Sequence, residues 1–290
     1  MRTAELCALP LESFLAKVGG VYEKSPWIAE KVYGRGPFAS LTSLAEALRQ
    51  IVDDSSPEEQ VALLCAHPDL AGKAALAGEL TAESTSEQRR AGLGSLSAPE
   101  LARFTAMNEA YRAKFRFPFI LAVRHASKRT ILRAFAARLE HSAAEEQAEA
   151  VRQVHKIAWM RLRELLEPEP TGKLTCHVLD TARGVPAAGM LLSLRRQGEG
   201  EGEAWELLGE FETNADGRLG GAAVEGARLL PGTYEWTFDV GDYFAAAGVP
   251  TAGTPFLQQV PLRFGVDNPE AHYHVPLLCS PWSYSTYRGS

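Results

Sequence analysis

No stretch of the 290 residues approaches the ~18 consecutive apolar residues of a transmembrane helix, which excludes a membrane-spanning chain. Cysteine is scarce. Cys7, Cys65, Cys176 and Cys279 stand far apart with no CxxC among them, so a zinc ribbon or dithiol redox motif has no support. Low cysteine usage fits a reducing cytosol. Cys65 and Cys176 lie in apolar runs and are expected to pack as small hydrophobes. Basic excess is also missing: 30 Lys and Arg face 36 Asp and Glu, which argues against a nucleic-acid partner. The opening MRTAELCALPLESF lacks the apolar core of a secretory leader, and YRGS is not a peroxisomal signal, so a cytoplasmic location is expected. With 46% hydrophobic residues the chain has ample surface to bury and is not disordered.

What is present divides into two halves. Through Pro168 there are 22 basic and 21 acidic residues; from Glu169 onward there are 8 and 15. Glycine is split the other way, with 8 residues before that point and 17 after it. This length and contrast predict two domains, 1–167 and 173–290, joined by a short extended linker over 168–172 that contains two prolines and a glycine.

The first half follows the helical period. Leu101, Phe104, Tyr111 and Phe115 fall on one face. Ser-x-x-Glu boxes at Ser43, Ser56, Ser84 and Ser97 mark expected helix starts, and Pro57 takes the favoured first helical position. A long helix is expected over 144–166, with Val151, Val154, Ala158, Leu162 and Leu165 on its apolar face. Arg161 shares that face, so its head must find an anion or reach water. It is a snorkelling stem, an internal ion pair or a fork for a ligand carboxylate or carbonyl pair. His67 precedes Pro68 and should sit where a helix stops. Glu87 reads most simply as the closing residue of a capping box. His125, His141 and His155 read as ordinary surface residues.

The order of YEKSPWIAE (22–30), HPDLAGK (67–73), LTAESTSEQRRAGL (80–93), FPFILAVR (117–124) and IAWMRLRELL (157–166) resembles the 2-oxo-4-hydroxy-4-carboxy-5-ureidoimidazoline (OHCU) decarboxylases. That resemblance implies an all-helical fold that pairs as a dimer and a decarboxylase without cofactor. It implies catalytic roles for His67, Glu87 and Arg161 and pocket roles for Pro68, Ser84, Gln88 and the backbone of Phe119, Ile120, Leu121 and Ala122. Arg116 stands where glycine is common in that family. Loss of CO2 leaves a carbanion that the substrate's own carbonyl and ring nitrogen can accept. The protein then supplies donors and a positioned proton. On this reading His67 donates to the developing oxyanion, Glu87 and Gln88 orient N–H groups and deliver the proton, and Arg161 binds imidazoline oxygens.

After residue 172 the period changes to two. LTCHVLD puts Leu174, Cys176 and Val178 on one side and Thr175, His177 and Leu179 on the other; GTYEWTFDV puts Tyr234, Trp236, Phe238 and Val240 on one face. MLLSLRR, LLGEFET, FLQQVPLRFGV and HYHVPLLCS are further strands, with GVPAAG, NADGR, LLPG and DNPE as turns. Many short strands predict a β-sandwich. RRQGEGEGEAW reads as an exposed hairpin and FAAAGV (244–249) as one short helix. His272 and His274 project to one side, but two histidines without a clear third ligand make a weak metal site. Arg218 follows a turn, where a solvated arginine is the default.

LTCHVLD, TNADGR, YHVPLL and the terminal SYSTYRGS resemble the 5-hydroxyisourate hydrolases, the transthyretin-related enzymes. The resemblance covers 173–290 and implies an all-β transthyretin-like sandwich assembled as a tetramer. It implies catalytic roles for His177, Arg218, His274 and Ser290, with Tyr287 and Arg288 at the substrate. His274, the histidine of YHVP, is favoured over His272. The chain end is expected to be packed. Histidine suits activation of a water near neutral pH, and an arginine can hold urate-like oxygens and stabilise a tetrahedral oxyanion, so no metal or cofactor is required. The two resemblances together imply a bifunctional enzyme taking 5-hydroxyisourate to (S)-allantoin, a small-molecule pathway enzyme and homo-oligomer. The alternative is a transthyretin-like carrier with one or neither domain active.

Overall fold

The computed structural model describes residues 1–72, 81–90, 93–123, 126–198, 204–249 and 253–289. The chain divides into two compact units, Met1–Glu167 and Pro168–Ser290. No helix among the described residues is long and apolar enough to cross a membrane.

Unit one is helical: α1 Thr3–Cys7, α2 Leu11–Val18, α3 Pro26–Tyr33, α4 Leu41–Asp53, α5 Pro57–Cys65, α6 Ala82–Arg90, α7 Ala98–Phe115, α8 Lys128–Arg138 and α9 Ala143–Leu165. Side-chain caps start several of these helices. Ser56 and Ser97 accept from the N–H groups of Glu59 and Glu100, whose carboxylates return the bond. A fifth box, Ser142 with Glu145, opens α9. The other two boxes are not used. Helix α4 is capped by Ser40, which pairs with Ser43. Ser84 and Glu87 both lie inside α6, where the Ser84 hydroxyl donates to Glu23, so Glu87 closes no box.

Helix α9 buries Val151, Val154, Ile157, Ala158, Arg161 and Leu162. Leu165 belongs to its last turn and is exposed, contrary to its place in the apolar pattern. Helix α7 buries Phe104, Tyr111 and Phe115 against Phe117, Phe119 and Phe135. It ends at Arg116, which takes a left-handed conformation (φ 69°) while its N–H reaches Arg112 O at 3.0 Å. Glycine fits that geometry at no steric cost, and arginine carries it here against a Cβ penalty. The turn releases the chain into the extended segment 117–123. Two buried groups pin this segment. Arg138 Nη1 donates to Ile120 O at 2.7 Å, and Gln153 Oε1 accepts from Ala122 N–H at 3.1 Å. Arg138 is itself fixed by the buried carboxylate of Glu146, which also accepts from Tyr111.

Three polar residues depart from the sequence reading. His155 is largely buried, because Tyr22 Oη lies 2.9 Å from its Nδ1 and Asp53 Oδ1 lies 3.0 Å from its Nε2. His141 is half-buried against Glu146. Cys65 is exposed, whereas Cys176 and Cys279 are buried. His125 lies outside the described residues.

The strands of unit two are β1 Lys173–Thr175, β2 Val178–Asp180, β3 Val185–Pro186, β4 Leu191–Gln197, β5 Trp205–Glu212, β6 Val224–Glu225, β7 Gly232–Phe238, β8 Val260–Val266, β9 His272–His274, β10 Leu277–Cys279 and β11 Tyr284–Ser285. They form a β-sandwich of three sheets ordered β6–β1–β9, β11–β10–β2–β3 and β5–β4–β7–β8. The alternating residues fill the core: Leu174, Cys176, Val178, Tyr234, Trp236, Phe238 and Val240 are all buried. Strands β4 and β5 pair antiparallel, and residues 199–203 of the expected hairpin lie outside the described residues. The short helix, α10 Val240–Ala246, begins before FAAAGV and takes in its first residues. Residues 168–172 are tied to this unit. Glu169 N–H and Thr171 Oγ1 donate to Glu270, and Gly226 N–H donates to Gly172 O.

Candidate active sites

In unit one a cavity is lined by His67, Pro68, Ser84, Glu87, Gln88, Phe119, Ile120, Leu121 and Arg161, together with Leu70, Val123 and Ile157. Of the residues the sequence assigned here, Ala122 is the one off the wall; its N–H serves Gln153 instead. His67 follows the end of α5, where Pro68 stops the helix. Its loop is bolted down from three sides. Ala71 N–H donates to Gln88 Oε1 at 2.9 Å, Asn108 Nδ2 donates to Leu70 O at 2.9 Å, and Arg112 Nε meets Asp69 Oδ1 at 2.8 Å.

His67 Nδ1 lies 3.0 Å from Leu63 O. A carbonyl only accepts, so Nδ1 carries the proton and Nε2 keeps its lone pair. Burial pushes the imidazole down to about 4, against the raising influence of the Leu63 bond and of Glu23. A neutral ring so held offers Nε2 as an acceptor, whereas the sequence reading has His67 as a donor to an oxyanion.

Arg161 is buried and makes internal ion pairs, one of the readings of its place on the core face. Its Nε meets Glu87 Oε1 at 2.9 Å, and its Nη2 meets Glu23 Oε2 at 2.9 Å and Glu87 Oε2 at 3.1 Å. Ser84 Oγ and Gly20 O, each at 3.3 Å, complete its partners. Glu23 was not singled out from the sequence, although it stands in YEKSPWIAE. The signal was the arginine itself: five buried donors need more than one carboxylate. Burial works to raise the Glu23 carboxyl, but Arg161 and the Thr81 hydroxyl hold it below the usual carboxylate range.

In unit two the second constellation is set by backbone pairing. Strand β1 runs parallel to β9 with Thr175 opposite His274. His177 bridges to Arg218, and His274 bridges to Gly289. The NADG turn aims Arg218: Asn214 Oδ1 accepts from Asp216 and Arg218 N–H, and Gly217 adopts φ 70° with Val178 O where a Cβ would stand 2.3 Å away. At Gly289 a Cβ would meet His274 Cδ2 at 2.6 Å, so the closing segment approaches the imidazole as only glycine permits. Thr175 Oγ1 lies 3.0 Å from His274 Nδ1 and 2.8 Å from His272 Nε2, linking the two histidines.

His177 Nε2 is buried without a hydrogen-bond partner among the described residues. Burial, then the Arg218 charge, hold His177 below the ordinary histidine value; the same two causes, joined by His177 and His272, do so for His274. Arg218 is exposed. Arg288 stacks on the Tyr273 ring at 4.8 Å, and Tyr287 is exposed. Ser290 lies outside the described residues. Among the described residues no group of three or more His, Cys, Asp or Glu side chains is placed to hold a metal ion.

Comparison with known proteins follows the same division. Residues 7–163 match the OHCU decarboxylase family and residues 174–289 the HIUase/Transthyretin family. A crystal structure of (S)-allantoin synthase superposes with a TM-score of 0.86 and 45% identity over 100% of both chains. 5-Hydroxyisourate hydrolase 2 of Rhizobium meliloti (strain 1021) is 53% identical over 120 residues, 41% of this chain and 98% of its own. The OHCU decarboxylase of Halalkalicoccus jeotgali is 42% identical over 157 residues, 54% of this chain and 87% of its own. The chain thus belongs to the OHCU decarboxylase family through its helical unit and to the HIUase/Transthyretin family through its β-sandwich.

Proposed function

We propose that this chain converts 5-hydroxyisourate to (S)-allantoin in two steps. The sandwich opens the six-membered ring at an amide C–N bond, and the helical unit removes CO2 from the resulting ureidoimidazoline. In the first step a neutral histidine of the His177/His274 pair takes a proton from water as the oxygen attacks the ring carbonyl. Arg218 faces the oxyanion, and the leaving nitrogen receives the proton back. Ser290 orients this pair, and Tyr287 and Arg288 flank the substrate. In the second step the C–CO2 electron pair moves into the ring C=N, whose nitrogen is protonated. His67 Nε2 then accepts the hydroxyl proton as the ring amide carbonyl forms, and the neighbouring carbon takes a proton on one face. Glu87 and Gln88 hold the ureido and ring N–H groups, and Arg161 takes the imidazoline oxygens. Pro68, Ser84 and the 119–122 backbone close the pocket. No metal or coenzyme enters either step. The assembly is a homo-oligomer, tetrameric through the sandwich and paired through the helical unit.

The observation that carries this reading is His67, a buried imidazole whose Nδ1 faces Leu63 O, on a cavity that also holds Glu87 and Arg161. The test generates 5-hydroxyisourate with urate oxidase and follows ultraviolet absorbance, then circular dichroism. Accelerated decay of both intermediates and a chiral product are expected. A fast first decay ending in racemic allantoin would leave only the hydrolase, and no acceleration of either step would leave a carrier.

A further inference from the structure

Two carboxylates contact one guanidinium in the helical unit, and they are held very differently. Glu23 is 2% exposed and fully engaged: Oε1 accepts from Thr81 Oγ1 at 2.9 Å, and Oε2 accepts from Ser84 Oγ at 3.0 Å and faces Arg161 Nη2 at 2.9 Å. It does not line the cavity. The Glu87 side chain is 22% exposed, stands on the cavity wall, and takes Arg161 in a two-pronged grip through Nε and Nη2. That grip uses the same fork that a ligand's paired oxygens would need.

Resting on the decarboxylase reading above, we propose that Glu23 is a positioning residue, the permanent counter-ion of Arg161, and that Glu87 is its exchangeable partner. When the ureidoimidazoline enters, Glu87 releases the Nε/Nη2 edge to the substrate's oxygens and turns to its N–H groups. Arg161 stays oriented and compensated throughout, because Glu23 and Ser84 keep their contacts to Nη2 and Gly20 O keeps its own to Nη1. A buried cation that lost its one partner would incur a large desolvation penalty. A second, fixed carboxylate removes that obstacle to exchange. Without Glu23, Glu87 becomes the sole compensating carboxylate and is kept on the arginine.

The full-length protein carrying Glu23→Gln tests this, with OHCU generated in situ by an excess of separate hydrolase. The expected result is a KM for decarboxylation raised about tenfold, with a smaller fall in kcat. The sign is diagnostic. Deleting a negative charge beside an anionic substrate would by itself lower KM, and simple loosening of the fold would lower kcat and thermal stability together. Thr81→Val removes one donor from Glu23 and leaves both carboxylates; it should raise KM about threefold, and it serves if Glu23→Gln does not fold. An unchanged or lowered KM in the variants that fold overturns the role of Glu23 while decarboxylation by the wild type leaves the function standing. Failure of the wild type to decarboxylate overturns the function itself.

Discussion

In the helical unit and in the sandwich alike, burial is the main force holding the candidate histidines below the ordinary imidazole value, but the charges around them differ. His67 is sealed inside a helical core, and desolvation dominates its shift. Its neighbours cancel one another as buried ions. His274 ends β9, and His177, between β1 and β2, bridges to the exposed Arg218, whose charge adds to a milder burial of both rings. One site is made by packing and is sensitive to any change of volume or charge. The other is made by backbone pairing, with its charge left in reach of solvent.

Four substitutions would break or sharpen this contrast. The largest effect is expected for Arg161→Leu. It strands Glu23 and Glu87 without their cation, which should cost roughly 3–5 kcal/mol of helical-unit stability and abolish decarboxylation. Two-transition thermal unfolding and separate assays of the two steps would show the sandwich and its hydrolysis unaffected.

Next, His67→Asn should remove all enzyme-driven, stereoselective decarboxylation. It should also change the acid response. The folded His67 value, about 4, lies below the unfolded 6.5. Its neutral form thus stabilises the fold above pH 6.5, and that contribution is lost as pH falls from 6.5 through 4. Denaturant unfolding across this window should be steeper in pH for the wild type than for the variant; equal slopes would refute the buried neutral imidazole.

A smaller, more specific change is expected from Arg218→Ala. Loss of the cation should raise both sandwich histidines toward 6.5, moving the acid limb of the hydrolysis profile upward in pH, beyond a rate loss on the order of 10² from the missing oxyanion contact. A limb that stays put would mean that burial alone sets these rings. Smallest is Arg116→Gly. Relief of the left-handed strain should stabilise the helical unit by up to about 1 kcal/mol, less the entropy glycine adds to the unfolded chain. Chemical denaturation measures it, and hydrolysis should not change.

Local chemistry was legible in the sequence where a few neighbouring residues decide the outcome. Ser56-Pro57 and Ser97 open helices because cap, proline and glutamate lie within one turn. The alternation in GTYEWTFDV buries Tyr234, Trp236 and Phe238 because each strand residue faces opposite to the next. What escaped depends on distant partners. Ser84 carries the same box signature as Ser56, yet its hydroxyl goes to Glu23, 61 positions away. His155 reads as surface until Tyr22 and Asp53 close on it. The tautomer of His67, on which its ability to accept or donate depends, follows from a carbonyl at Leu63 that no motif encodes.

Gln88 deserves a last consequence. By accepting from Ala71 N–H, it fastens the turn after His67 to the helix that bears Ser84 and Glu87. Imidazole and carboxylate therefore ride on a single plate. The spacing between the two groups thus depends on one amide side chain that belongs to neither of them.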